Sequence, residues 1–257
     1  MSPVSIAAAY RFVPIADCPA LRGHLHASAS AAGLKGTLLL AEEGLNFTLA
    51  GAPAALHAWL AQLQADARFA ALDIKHSQAA ALPFRHLRVK LKPEIIRMNQ
   101  PTVRPQAGRA PSVDAATLAH WLQPGRCDAG RPVLLLDTRN AFEVDAGAFI
   151  GATDWRMGKF SDFPAALQAH RWDLQGKTVV SYCTGGIRCE KAALWMAAQG
   201  VQQVLQLDGG ILRYLEATAV QHAPGWQGRC VVFDDREALD AQLAPTPTPK
   251  PAPMLAP

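Results

Sequence analysis

The sequence predicts an α/β protein made of two domains, a mixed α+β domain followed by an α/β domain with a parallel sheet. Two observations predict this fold class. In the first hundred residues, strand-like and helix-like patterns follow one another in a symmetric order. After residue 112, short and wholly apolar strands alternate with helices, as in parallel sheets that helices cover on both faces.

Residues 1–98 follow the order β-α-β-β-α-β, which is the ferredoxin-like plan. Asp17 is a candidate cap for a first helix that runs to about Ala32 and ends at Gly33. A second helix is predicted over 52–66, where apolar side chains recur at helical spacing. The strand-like segments are residues 6–12, 36–44, 46–51, 71–77 and 87–92.

A linker is predicted over 99–112, which has three prolines and few apolar side chains. Ser112 is a candidate cap for a helix that runs through Trp121. The elements predicted after it are strands at 133–139 and 178–183, a strand and turn over 201–210, and helices at 189–200 and 211–218. The predicted divisions are a second domain over 113–222, a C-terminal extension over 223–243 and a disordered proline-rich tail over 244–257.

The composition excludes several classes of protein. The net charge of +4 allows a nucleic-acid partner without requiring one. Five scattered cysteines without C-x-x-C spacing are atypical of a zinc site or a disulfide scaffold, and the eight histidines do not cluster, so we expect no metal. We identify no signal peptide and no stretch long enough to span a membrane, which predicts a cytoplasmic protein.

The segment "SYCTGGIRCEK" places Cys183 at the carboxyl end of a buried strand and before a helix, where open α/β sheets bind ligands. Two glycines let the backbone amides converge on one point, and Arg188 adds positive charge. Such a cradle lowers the pKa of a thiol and makes it nucleophilic, and it would also hold a persulfide. We therefore predict that Cys183 is catalytic. The active-site loop is Thr184, Gly185, Gly186, Ile187 and Arg188.

Two other interpretations of this segment remain open. Cys183 could be a structural cysteine beside a tight turn, although the coincidence of strand, glycines, arginine and helix argues against it. Cys189 could form a disulfide with Cys183 or resolve an oxidised form of it, if the loop brings the two sulfurs together and exposes them.

The string "CTGGIR" resembles the active-site loop of rhodanese domains, and "LLLDTRNAFEVDAGAFIGA" resembles the upstream signature of that domain. Longer strings are more specific. "CTGGIRCEKA", "LDGGILRYLE" and "GWQGRCVVFDDR", with "AEEGLN" and "FRHLRVKLKPEII" in the first half, resemble the bacterial tRNA uridine hydroxylase family. The resemblance covers roughly residues 5–240.

The resemblance implies an acylphosphatase-like first domain, a rhodanese-like second domain and tRNA as partner. It implies oxygen-dependent hydroxylation of the wobble uridine, position 34, to 5-hydroxyuridine, with molecular oxygen as co-substrate and Cys183 as the active-site cysteine. No other cofactor is identified, and the electron donor and oligomeric state stay open. The chain departs from the family at Ala148, where a histidine is usual.

Three other functions compete with this one. A plain sulfurtransferase, which moves sulfur from thiosulfate or a persulfide, is the main alternative, but it would not need the basic first domain. A phosphatase is disfavoured because related phosphatases place five residues between Cys and Arg, whereas four separate Cys183 from Arg188. A non-catalytic docking module is disfavoured by the intact loop.

Two groups of residues are predicted to support the site. Asp137 and Arg139 follow a buried strand, and we expect them at the same sheet edge as Cys183, fixing the loop by an ion pair or by bonds to its amides. In "FRHLRVKLK", alternate residues are basic, which would place one charged face on a strand. The candidate RNA-binding residues are Arg85, His86, Arg88, Lys90 and Lys92. A merely solvated face is the alternative.

Overall fold

A computed structural model describes residues 4–246 of the chain. Most of the predicted proline-rich tail, residues 247–257, lies outside the described residues. Within the described part, Pro245–Thr246 forms a short strand that pairs with Ala238–Leu239. No helix within residues 4–246 is both long enough and apolar enough to cross a bilayer.

The first half of the chain forms a sheet with two helices packed on one face. Its strands lie in the order β4-β1-β3-β2-β5, and β5 runs parallel to β2 at one edge. The elements are β1 (Val4–Phe12), α1 (Cys18–Ala31), β2 (Lys35–Ala41), β3 (Gly44–Gly51), α2 (Pro53–Gln64), β4 (Lys75–Ala79) and β5 (Leu87–Leu91). This arrangement confirms the ferredoxin-like plan, to which β5 adds an edge strand.

The two faces of this sheet differ in what they carry. The core face packs Leu38, Phe47 and Val89 against the two helices. The opposite face, here called the front face, carries the residues that alternate with them. Pairing of the strands aligns them in rows across the sheet. The front face consists of Ala8, Tyr10, Thr37, Leu39, Asn46, Thr48, Arg88 and Lys90.

The second half is built on a parallel sheet with the order β6-β11-β10-β7-β9. Leu135 belongs to one apolar cluster and its neighbours Leu134 and Leu136 belong to another, so helices cover both faces as predicted. Its elements are β6 (Ser112–Val113), α3 (Ala115–Leu122), β7 (Val133–Asp137), α4 (Ala141–Ala146), β8 (Gly147–Phe149), β9 (Thr153–Asp154), α5 (Phe163–His170), β10 (Thr178–Tyr182), α6 (Ile187–Ala198), β11 (Val204–Leu207), α7 (Gly210–Thr218), β12 (Trp226–Gly228), β13 (Cys230–Val231), β14 (Ala238–Leu239) and β15 (Pro245–Thr246).

Both predicted helix caps need correction. Ser112 lies in β6, and Asp114 caps α3 instead, since its carboxylate accepts a hydrogen bond of 2.9 Å from the Thr117 amide. Asp17 does precede α1, but its side chain makes no cap hydrogen bond and instead pairs with Arg68 at 2.5 Å. The Asp17 carboxylate thus pairs with a residue that is distant in the sequence, and at α3 a neighbouring aspartate takes the place of the predicted serine cap.

Candidate active site

The loop of residues 183–188 connects β10 to α6 at the carboxyl end of the parallel sheet. Gly186 precedes α6 with a φ of +99°, and its amide donates a hydrogen bond of 3.2 Å to the Cys183 sulfur. Two backbone carbonyls of the loop bind α7 instead. The carbonyl of Cys183 accepts from the Ile211 amide at 2.9 Å and that of Thr184 accepts from the Leu212 amide at 3.1 Å. The loop is therefore held by the start of α7.

Close packing at this junction requires glycine. Gly210 has a φ of +67°, and a Cβ placed on it would lie 2.4 Å from the Cys183 carbonyl oxygen. A Cβ on Gly186 would lie 2.9 Å from the hydroxyl of Tyr10, a residue of the first domain. The strings "CTGGIR" and "LDGG" thus describe two backbone segments that touch each other, with Tyr10 directly over the loop.

Cys183 is fully buried, and its environment favours the thiolate. Burial alone would raise the pKa of this thiol. A hydrogen bond from Cys189, the positive charge of Arg188 and the amides of both residues outweigh burial and lower the pKa to about 5. This environment therefore favours the ionised form of the sulfur at neutral pH.

Cys189, in the first turn of α6, donates a side-chain hydrogen bond to this thiolate. Burial raises the pKa of Cys189 well above its ordinary value, and the adjacent Cys183 charge raises it further. Its sulfur also lies 3.7 Å from the Thr138 hydroxyl. All five cysteines are free thiols, so no disulfide joins Cys183 and Cys189 in this structure.

Arg188 is anchored by a residue that the sequence did not single out. Its guanidinium makes two hydrogen bonds to the carboxylate of Glu143, at 2.7 and 2.8 Å, and Glu143 is fully buried in α4. Burial would raise the pKa of Glu143, but the bonds from Arg188 and the Arg188 charge lower it. The Thr184 hydroxyl also donates to Glu143, at 3.4 Å. The only sequence signal was the N-x-x-E cap pattern at Asn140, which predicts a helix start and not this contact.

Asp137 and Arg139 form a fully buried ion pair of 2.7 Å. Asp137 pairs with Tyr182 across β7 and β10, which puts it at the sheet edge that carries Cys183. The remaining bonds of Arg139 go to the carbonyls of Glu143 and Gly147, at 3.2 and 2.6 Å, rather than to the amides of the Cys183 loop. The pair therefore fixes the backbone of α4, and through it the position of Glu143.

Cys230, for which the sequence offered no role, also lies beside the loop. It is fully buried, and burial raises its pKa to about 12. A hydrogen bond with the Thr184 side chain acts in the opposite direction. Cys230 therefore packs as a neutral thiol against the loop.

The first domain closes over this site through Tyr10 of β1. Burial raises the pKa of Tyr10 well above its ordinary value, and the charges of Glu190 and Cys183 raise it further. The neutral phenol donates a hydrogen bond of 3.1 Å to Glu190, the residue after Cys189. Glu190 also pairs with Arg109 at 2.8 Å. The Glu190 carboxylate of α6 therefore binds both Tyr10 of the first domain and Arg109 of the predicted linker.

A second contact between the domains lies one residue further along α6. Lys191 is nearly inaccessible to solvent, and its ammonium group lies 2.8 Å from Glu43 and 2.7 Å from Glu94. Glu43 accepts a hydrogen bond from the Ile95 amide, and Glu94 accepts from the Met98 amide. The strings "AEEGLN", "KPEII" and "CEK" thus meet at one buried ionic cluster.

The predicted RNA-binding residues lie on or beside β5. Arg88 and Lys90 are exposed on the front face, in the rows of Thr37 and Leu39, while Val89 packs in the core. The same alternation would place Leu91 on the core face, but Leu91 is 44% exposed because β5 ends there. Arg85, His86 and Lys92 are also exposed. None of the five basic side chains has an ion-pair or hydrogen-bond partner among residues 4–246.

Neither a cavity nor a group of metal-binding side chains elsewhere in the described chain offers a better candidate site than the Cys183 loop. A cavity of about 610 Å³ is lined by Lys177, Gln203 and their neighbours, at the amino ends of β10 and β11 and thus opposite Cys183. Across the described part of the chain, no three His, Cys, Asp or Glu side chains are grouped so that they could hold a metal ion.

Two protein families match separate parts of this chain. Residues 4–95 match the family described as "UPF0176 acylphosphatase like domain". Residues 118–217 match the family described as "Rhodanese-like domain". These matches agree with the observed sheets and confirm the predicted fold class of each half.

Curated relatives resemble nearly the whole chain. A Bordetella petrii protein named tRNA uridine(34) hydroxylase is 59% identical over 238 residues, which cover 93% of this chain and 93% of that protein. Proteins with the same name from Bordetella avium and Variovorax paradoxus are 58% and 57% identical, and the matches cover 95% and 92% of this chain and 100% and 89% of those proteins.

Proposed function

The chain belongs to the tRNA uridine(34) hydroxylase family, and on that premise we propose that it hydroxylates uridine 34 of tRNA to 5-hydroxyuridine at Cys183. One observation carries the assignment to this residue. The Cys183 sulfur is the thiolate of the site, held between Arg188 and the Gly186 amide. A tRNA substrate also implies the cytoplasm as the location of the reaction.

The proposed chemistry begins with nucleophilic attack by this thiolate. The Cys183 sulfur adds to C6 of uracil, which forms a C–S bond and moves the electron pair of the ring double bond to C5. The C5 carbon then bonds to molecular oxygen, which takes up a proton and gives a C5 hydroperoxide. Two electrons and two protons cleave its O–O bond, which leaves a hydroxyl group on C5 and releases water. Loss of the C5 proton and of the Cys183 thiolate restores the double bond. In total, uridine, oxygen, two electrons and two protons give 5-hydroxyuridine and water, with the electrons supplied by an external reductant such as a small thiol.

Access to the sulfur requires movement, because Cys183 has no exposed surface. An enzyme that reacts at a base turns that base out of its stack and into a pocket. Tyr10 is in contact with the loop at Gly186 and bonds to Glu190. We propose that the substrate ring enters beside Cys183 as this contact between Tyr10 and α6 opens.

The test is complementation of a bacterium that lacks its own hydroxylase, with mass spectrometry of tRNA nucleosides. The wild-type chain should restore hydroxyuridine derivatives at position 34, and Cys183→Ser should not. Cys127→Ser is the matched control, since Cys127 bonds to Thr178 at the far end of β10 and should retain activity. Restoration by Cys183→Ser would overturn the role of this sulfur, and no restoration by the wild type would overturn the function.

Sulfur transfer is the second candidate function. The observation that favours it is the same cradle, since converging amides and Arg188 would also stabilise a persulfide anion on Cys183. Transfer of sulfur from thiosulfate to cyanide measures this activity directly. A chain that transfers sulfur at a rate dependent on Cys183, yet leaves uridine 34 unmodified, would establish the alternative.

Binding of tRNA should use the unpaired basic residues on and next to β5. Lys90 and Lys92 each neutralise a phosphate in this proposal, so binding should weaken as salt rises. Replacing both with Gln should lower the slope of log affinity against log salt by about two. Lys177→Gln is the control, because Lys177 lies at the opposite edge of the second domain. An unchanged slope in the double variant would remove these residues from the interface.

A further inference from the structure

A second cavity, of about 370 Å³, lies between the first domain and the C-terminal extension. One side is formed by Thr37 and Arg88 of the front face, and the other by residues 233–235. The complete lining is Thr37, Pro83, Phe84, Arg85, His86, Arg88, Phe233, Asp234 and Asp235. The names of the matching families and relatives assign no role to this cavity.

Phe233 is presented to solvent by a segment that is itself held in place. Its side chain is 67% exposed. The next residue, Asp234, is bound to Arg236 at 2.6 Å, and Arg236 donates to the Ser77 hydroxyl at 2.8 Å. The Asp235 amide donates to the Pro83 carbonyl at 3.1 Å. The segment is therefore anchored to the first domain at Ser77 and at Pro83, and the aromatic ring is left uncovered.

The basic side chains that line this cavity have no partners within the described chain. Arg85, His86 and Arg88 make no ion pair or side-chain hydrogen bond among residues 4–246, whereas Asp234 is neutralised by Arg236. The Asp235 carboxylate is the remaining acidic group of the lining. An uncovered aromatic ring beside free cations and one hydrogen-bond acceptor is the combination that binds single-stranded nucleic acid, by stacking on a base and neutralising its phosphates.

The cavity lies on the same sheet face as the contact with the catalytic loop. Tyr10 aligns with Asn46 and Asn46 aligns with Leu39, so β2 is two strands away from β1. Thr37 lies two residues before Leu39. The spacing between strands and the rise along a strand then put the Cα atoms of Thr37 and Tyr10 about 12 Å apart. A nucleotide next to the reacting one can span such a distance when its strand is unstacked.

We propose that this cavity binds an unpaired nucleotide that neighbours the reacting uridine, with its base stacked on Phe233 and its phosphate bound by Arg85 and Arg88. The inference rests on the proposed function, since it assumes an RNA substrate. The Asp235 carboxylate accepts a hydrogen bond from an N–H group on the base edge. The cavity is thus a substrate-positioning site and takes no part in the reaction at Cys183.

The test compares Phe233→Ala and Phe233→Trp in the full chain, with a tRNA anticodon stem-loop as probe. Loss of one stacked base should weaken binding by about 5- to 150-fold, and Phe233→Trp should restore it. Hydroxylation by Phe233→Ala should show a raised KM at nearly unchanged kcat. Trp172→Ala is the control for an exposed aromatic ring far from the site, since Trp172 is 62% exposed at the opposite cavity.

The outcomes separate this inference from the proposed function. Wild-type affinity and KM in Phe233→Ala would overturn the inference while hydroxylation by the wild type sustains the function. Equal weakening by Phe233→Trp, or by Trp172→Ala, would also overturn it, because neither fits stacking at this cavity. Thermal unfolding of each variant verifies folding. Arg88→Gln gives an independent reading, since it should lower the salt slope by about one.

Discussion

At the residue scale, Cys183 shows how burial and polar contacts compete for one proton. A fully buried thiol is expected to stay neutral and inert. Here Cys189, Arg188 and the loop amides reverse that expectation and favour the charged form. The sequence pattern predicted the amides and the arginine. It did not predict Cys189 as a donor, because the side chain at the start of a helix can point to the core or to the loop.

Replacing Cys189 with Ala should raise the pKa of Cys183. The variant removes the hydrogen bond that stabilises the thiolate, so the pKa should move from about 5 toward the ordinary cysteine value of about 8.5. The measurement is the ultraviolet absorbance of the thiolate as a function of pH, taken as the difference between each protein and its Cys183→Ser counterpart. A titration identical to that of the wild type would show that Cys189 does not act on Cys183.

At the element scale, α4 acts as a support for α6. Glu143 of α4 bonds Arg188 of α6, and the pair of Asp137 and Arg139 holds the backbone of α4. The sequence indicated the strands on which these residues depend, since wholly apolar runs are easily recognised. It could not indicate the pairing of Glu143 with Arg188, because the two lie 45 positions apart and each is compatible with an exposed site.

Glu143→Gln should destabilise the protein and disorder the loop. The change removes the carboxylate partner of the buried Arg188 guanidinium and leaves the Cys183 thiolate as its remaining anionic neighbour. Loss of one partner of a buried ion pair costs about 3–5 kcal/mol of the free energy of unfolding. Urea unfolding measures this loss. Asp145→Asn is the matched control on the same helix, since Asp145 pairs with Arg156 in solvent and should have little effect. Equal free energies of unfolding for the two variants would show that Glu143 does not stabilise the fold by pairing with Arg188.

The pH dependence of stability follows from the same pair. The pKa of Glu143 is lower in the folded protein than in the unfolded chain, where it is about 4.3. Its contribution is therefore complete above that pH and is lost as the pH falls through the lower folded pKa. The stability difference between the wild type and Glu143→Gln should accordingly shrink on acidification.

At the scale of the whole molecule, the domains meet through charges that look unremarkable in the sequence. Glu43, Glu94 and Lys191 lie far apart along the chain, and single charged residues are usually solvated. The strings "AEEGLN", "KPEII" and "CEK" lie in segments that resemble one family, but nothing in the sequence predicted that their charges meet. The two folds could be predicted from local patterns, whereas their docking could not, because no local pattern encodes a contact between domains.

The buried cluster should control this docking, and Lys191→Met tests it. The variant leaves the carboxylates of Glu43 and Glu94 together without a cation, so the free energy of unfolding should fall by about 3–5 kcal/mol and residues 99–112 should be cleaved faster by protease. Lys159→Met, at a 74% exposed side chain, is the control and should change neither. Adding Glu43→Gln and Glu94→Gln to Lys191→Met should recover stability, because no unpaired charge remains. Further destabilisation by those two changes would show that shape, rather than charge, holds the domains over Cys183.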